Sequence, residues 1–133
     1  MIVSRDIDVD LPADELWSLI ADPDGWERWL VDDADVAIET GATGVVREDG
    51  EERVIRIDQV VDDERIRFEW WPSERPGDAS AVELVVLPTA TGAVLHVTET
   101  FPPRRTALAR AASSAWEVRA LAVWLSAAAL VPA

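Results

Sequence analysis

The sequence has no cysteine, no lysine and a single histidine, His96, among 133 residues. Without cysteine there is no disulfide framework, no thiolate nucleophile and no thiolate-bound zinc or iron–sulfur site. One histidine excludes a His-rich metal site, so no metal and no cofactor is expected. The longest apolar stretch, around residues 120 to 131, is too short to span a bilayer. The opening MIVSRDIDVD lacks a basic segment followed by an apolar run, so no secretory signal is expected and the cytoplasm is the expected location. The six glycines are scattered and form no phosphate cradle.

What the chain has in quantity is acid. There are 26 acidic residues against 12 basic ones, all arginine, for a formal charge of -14. Residues 1 to 103 hold 25 acids and 8 arginines, while residues 104 to 133 hold 1 acid and 4 arginines. Such a surface repels phosphate backbones, so no nucleic-acid partner is expected. The acidity itself reads as solubility. With 49% hydrophobic residues, the length suits a single domain spanning 1–133 around one core.

Residues 2 to 9 alternate and are rich in Ile and Val, which predicts a strand. In DLPADELWSLIADP, Pro12 suits a first helical turn, and Asp14 and Glu15 suit the positive end of the helix dipole. Leu16, Trp17, Leu19 and Ile20 form its apolar stripe. Asp22-Pro23 ends this helix, and a second short helix carries Trp26, Trp29 and Leu30. From residue 34 to 101 the pattern is about six strands. VAIETGATG closes in a glycine turn, Asp49-Gly50 marks a hairpin, residues 62 to 64 turn, and SERPGDAS is a loop. After Pro102-Pro103 the period becomes helical for about 25 residues, roughly 37 Å at the usual rise.

This order, together with Leu11-Pro12, Asp14-Glu15, Leu16-Trp17, Asp22-Pro23 and Trp29, resembles the START-like or Bet v 1-like superfamily (SRPBCC). Within it the chain is similar to the branch of activator-of-Hsp90-ATPase homologues. The resemblance covers nearly the whole chain. It implies an α+β helix-grip fold: a curved antiparallel sheet of about six to seven strands wrapped on a long C-terminal helix, two short helices after the first strand, and a cavity between sheet and helix. In such a fold Trp26 and Trp29 would be a plug or lid at one end, or would simply pack the helix pair onto the sheet.

On a wheel of the last helix, Leu108, Ala112, Ala115, Trp116, Ala122 and Val123 gather on one side. Arg119 falls among them, where a charge needs a partner or water. In the last strand Leu95, Val97, Glu99 and Phe101 share the more apolar face, which puts Glu99 inside. Glu99 and Arg119 are expected to meet, as a structural pair or as the polar anchor of a pocket; a misplaced wheel or a snorkelling Arg119 is the alternative. Alternation adds Ile66, Phe68 and Trp70, and Val82, Leu84 and Val86, as wall or ordinary core, with Trp71 on the opposite face. The candidate ligand-binding set is therefore Trp17, Trp26, Trp29, Phe68, Trp70, Leu84, Val97, Glu99, Trp116, Arg119 and Val123.

His96 shares the outward face with Thr98 and Thr100, so no Ser-His-Asp arrangement can be built on it. The pairs Glu51-Glu52 and Asp62-Asp63 read as solvated turns. Beyond Glu117 the outer helix face turns apolar at Leu121, Trp124 and Leu125, which reads as a homodimer or partner surface, or as a surface covered by the rest of the domain.

The reading that follows is a carrier or sensor of an apolar or amphipathic small molecule, bound between sheet and helix by burial of apolar area. A co-chaperone-like interaction module acting through its surface is the first alternative. A cyclase or dehydratase is the second, with Glu99 and Arg119 the only acid–base candidates, and no catalytic residue is assigned.

Overall fold

A computed structural model describes residues 1–103 and 106–130, and in residues 129 and 130 the backbone only. The elements run β1 (Ile2–Val9), α1 (Ala13–Ile20), α2 (Pro23–Trp29), β2 (Asp33–Asp35), β3 (Thr43–Glu48), β4 (Glu51–Val61), β5 (Arg65–Pro72), β6 (Ser80–Pro88), β7 (Ala93–Thr100) and α3 (Thr106–Leu130). A single 3-10 turn, Pro76–Asp78, interrupts the loop between β5 and β6. The seven strands form one antiparallel sheet in the order β1-β7-β6-β5-β4-β3-β2. With α3 packed across it, this is the helix-grip α+β fold that the resemblance implies.

Local chemistry explains the turns. Asp49 and Gly50 both adopt positive φ, 52° and 77°, as the tight β3–β4 hairpin requires. Asp22 caps α2 by accepting from the Asp24 N–H at 2.8 Å, and Pro23 takes the first helical position. Gly25 is needed because a Cβ there would lie 2.0 Å from the Leu19 carbonyl oxygen. This close approach seats α2 directly on the end of α1. A register shift between Ile57 and Gln59 breaks the β4–β5 ladder and bends the sheet.

One strand is shorter than the sequence pattern suggests. In VAIETGATG only the preceding Asp33–Asp35 pairs with β3, and residues 36 to 42 leave the ladder. Gly41 at φ 87° turns the chain, and its N–H donates to the Ile57 carbonyl at 2.8 Å. Val36 is still buried, so its apolar character reflects core packing rather than strand pairing.

The core is one cluster that joins α1 and α2, the inner face of β1 and of β3 to β7, and the stripe Trp116, Ala120, Val123 and Ala127 of α3. The outer face of β7 carries His96, which contacts Asp6 across the β1–β7 ladder away from the core. No described helix is long and apolar enough to cross a membrane.

Candidate functional site

The two short helices deliver Trp26 and Trp29 to different places. Trp26 is completely buried. Its Nε1–H donates to the Ile20 carbonyl at 2.6 Å, satisfying an oxygen at the end of α1 that has no helical partner. Its ring meets Phe68 at 5.2 Å between centroids. Trp26 is therefore a wedge between α1, α2 and the sheet. Trp29 packs 6.2 Å from Trp116 of α3 and lines a cleft.

Glu99 is inside, as alternation along β7 predicts, and only 3% exposed. It accepts hydrogen bonds from Trp70 Nε1 at 2.8 Å, from Trp116 Nε1 at 2.9 Å and from the Ser80 hydroxyl. Trp70 Nε1 also lies 3.1 Å from Ser80 Oγ. Two indole N–H groups and one hydroxyl, all buried, thus share a single carboxyl group.

Arg119 is also inside, on the buried stripe of α3. Its partner is Glu48 at the end of β3, not Glu99, which corrects the pairing expected from the sequence. The Arg119 Nε–H donates to Glu48 Oε2 at 3.1 Å, and Nη2 donates to Glu48 Oε1. The reason is the order of residues along α3. Trp116 precedes Arg119 by about one turn and its indole takes Glu99. The guanidinium then stacks over that indole, 4.5 Å from its centroid, and reaches onward to β3. The ring of Trp70 is also near it, at 5.2 Å, and Arg53 covers Trp70 at 4.6 Å. Glu48 also accepts from Arg53 at 3.3 Å, so one carboxylate holds two arginines.

This cluster forms the floor of a cleft of about 300 Å³ at one end of the sheet, beneath the first half of α3. Its charged lining includes Glu48, Arg53, Arg75, Glu99 and Arg119. Its apolar lining comes from Trp70, Phe101 and Leu108, with Ala111, Ala112 and Ala115 leaving room because their side chains are short. A second cleft of about 290 Å³ lies beside it, between α2 and α3, lined by Trp29, Leu30, Val31, Val118, Ala122 and again Arg119 and Glu48.

Of the residues singled out in the sequence, Trp70, Glu99 and Arg119 line the first cleft, and Trp29 and Arg119 the second. Phe68, Leu84, Val97, Trp116, Val123 and Trp26 pack in the core and line neither cleft. Trp17 is half-buried on α1, also away from both. The cavity is thus not a continuous hollow between sheet and helix. Large side chains fill the middle, and of the two clefts one lies beneath the alanines of α3 and the other between α2 and α3.

Glu48, Ser80 and Arg53 were missed in the sequence. Alternation could have found all three: Glu48 is two residues from buried Val46, Ser80 two from buried Val82, and Arg53 two from buried Ile55. Among the described residues no group of His, Asp or Glu is placed to hold a metal ion.

Residues 10–120 match the family model described as Activator of Hsp90 ATPase homolog 1-like protein. Among curated proteins no match is found. Solved structures share the fold. A protein from Mesorhizobium loti is 20% identical over 92% of this chain and 93% of its own, with a TM-score of 0.83. DynU16, a putative protein in the dynemicin biosynthetic locus, is 24% identical over 92% of this chain and 45% of its own, with a TM-score of 0.82. The Aha1 dimer from Colwellia psychrerythraea is 12% identical over 96% of each chain, with a TM-score of 0.78.

Proposed function

Because the chain belongs to the Activator of Hsp90 ATPase homolog 1-like family, in the Bet v 1-like superfamily, we propose that it binds a small amphipathic molecule in the cleft beneath the first half of α3. One observation carries this reading: a cleft of about 300 Å³ is left open over a floor of buried Glu99, Trp70 and Arg119. That volume lies at the lower end of ordinary ligand pockets, which pair apolar walls with a few placed polar groups. The apolar walls supply affinity by burial, and the polar floor supplies orientation. DynU16, from a biosynthetic locus, is in keeping with a small-molecule role.

Trp70 lies in the cleft, so occupancy is expected to shift tryptophan emission. Titration with fatty acids, sterols, aromatic polyketides and an apolar dye should give a saturable shift with one class. No shift and no dye uptake across the panel would overturn the reading.

A second reading rests on the outer face of α3, where Val118, Leu121, Trp124 and Leu125 are 70%, 57%, 54% and 54% exposed. From residue 118 onward the only charged residue is Arg119, whose side chain is buried. In a chain of net charge -14, this is an exposed apolar stretch with no acid after Glu117, where two copies can approach with little charge repulsion. A second copy is therefore the occupant, paired helix to helix, and the dimeric relative from Colwellia psychrerythraea is in keeping with it. The four side chains offer on the order of 400 Å² of apolar area per protomer, about half of a standard interface, so the dimer is a weak one. Sedimentation equilibrium at about 100 μM should show dimer, and Leu121→Glu with Trp124→Glu should return the protein to monomer. A sample that is monomeric at that concentration sinks this reading.

A further inference from the structure

Resting on the reading of the cleft as a small-molecule site, we propose that Glu48 is a displaceable counter-ion on Arg119, and that the ligand is an amphipathic carboxylic acid whose carboxylate takes its place. Both clefts are lined by Glu48, Asp49, Ala115 and Arg119, so the Glu48–Arg119 ion pair is part of the wall they share. Opening it joins the two spaces, with the apolar walls of Leu108 and Phe101 on one side and of Trp29 and Val118 on the other.

The structure decides which partner can leave. Arg119 projects from the middle of α3, its side chain is 4% exposed, and its guanidinium lies within 4.5 Å of the Trp116 ring centre and 5.2 Å of the Trp70 ring centre. Glu48 is the last residue of β3, next to the exposed Asp49-Gly50 turn, and its side chain is 20% exposed. It also has a second cation, Arg53, at 3.3 Å. When Glu48 swings away it keeps a counter-ion and approaches water. If Arg119 were displaced, a buried charge would be left with nothing to pair it. The exchangeable group is therefore the anion, and a cationic ligand has no place to enter the pair.

The guanidinium fork selects the replacement. Its Nε and Nη2 already hold a carboxylate in two-point contact, a geometry that a second carboxylate reproduces and an amide does not. A neutral ligand that opened the pair would strip Arg119 of its counter-ion in a buried position. The acidic residues around the cleft, among them Asp49, Glu51 and Asp78, oppose any incoming anion. The exchange offsets this, because one carboxylate moves out toward Arg53 as another moves in.

The test uses the full chain and two probes of one shape, 9-anthracenecarboxylate and 9-anthracenecarboxamide, in calorimetric titrations. In the unaltered protein the acid is expected to bind about tenfold tighter than the amide or better, and Glu48→Gln should raise that ratio about tenfold further, since a neutral side chain competes poorly for the guanidinium. Equal binding of acid and amide in both proteins overturns the proposal and leaves the cleft reading standing. A preference for the acid that Glu48→Gln does not change also overturns it, because the acid then sits elsewhere. If neither probe binds either protein, both readings fall. Should Glu48→Gln not fold, the ratio in the unaltered protein decides: tenfold or more supports the exchange, and a ratio near one overturns it.

Discussion

Trp116→Ala is expected to lower the unfolding free energy by about 4 kcal/mol or more. Truncating a buried Trp typically costs about 3–5 kcal/mol in lost burial and residual cavity. Trp116 is 1% exposed and does more than fill space. Its Nε1–H is one of three donors on Glu99, its face carries the Arg119 guanidinium, and it packs at a tilt on Trp29. Removal therefore weakens two buried ionisable residues at once. For a domain of this size, total stability of about 5–15 kcal/mol leaves the variant marginal. Urea unfolding should show a much lower midpoint at an unchanged slope. Trp116→Phe keeps most of the ring and deletes the donor, so about 1–2 kcal/mol is expected. A loss below about 1.5 kcal/mol for Trp116→Ala would mean that this indole is not the centre of the cluster.

Glu99→Gln is expected to cost about 1–3 kcal/mol although its shape is unchanged. The carboxyl group presents acceptors on both oxygens: Oε2 to Trp70 and Ser80, Oε1 to Trp116. A carboxamide replaces one of these acceptors by a donor. Whichever way it is turned, one indole N–H then faces an N–H. The amide should turn its nitrogen toward Trp70, because Ser80 Oγ, 3.1 Å from that indole nitrogen, remains as a fallback acceptor. This makes a sharper test. Ser80→Ala alone should cost about 1 kcal/mol, but Ser80→Ala combined with Glu99→Gln should cost about 1 kcal/mol or more beyond the sum of the two, because the fallback is gone. Strict additivity in urea unfolding would count against the shared network.

Glu99→Gln also bears on chemistry. If the cleft hosted a cyclase or dehydratase reaction, this variant would keep affinity and lose turnover. The three donors already on Glu99 argue for a structural and orienting task.

Much of the architecture was legible in the sequence because it follows from local rules. The period-two pattern of β7 placed Glu99 inside with Leu95 and Val97, and the helical period of α3 placed Arg119 among Trp116 and Val123. Asp49-Gly50 and Asp22-Pro23 acted as turn and cap as their backbone preferences require. Periodicity says which face a side chain occupies. It does not say which residue lies opposite.

The sequence by itself determined the order of elements, the family, and the presence of a buried Glu and a buried Arg. Each depends on neighbours within about one helical turn or one strand repeat. Only the tertiary structure decided that the two charges do not meet, and that Glu48, 71 residues from Arg119, is the partner. It also decided that the middle of the grip is filled by Trp26, Phe68 and Trp116, while a cleft survives over the alanines of α3. Pairing and free volume depend on how far each side chain reaches once sheet and helix have docked, and that distance is set by the packing of the whole core.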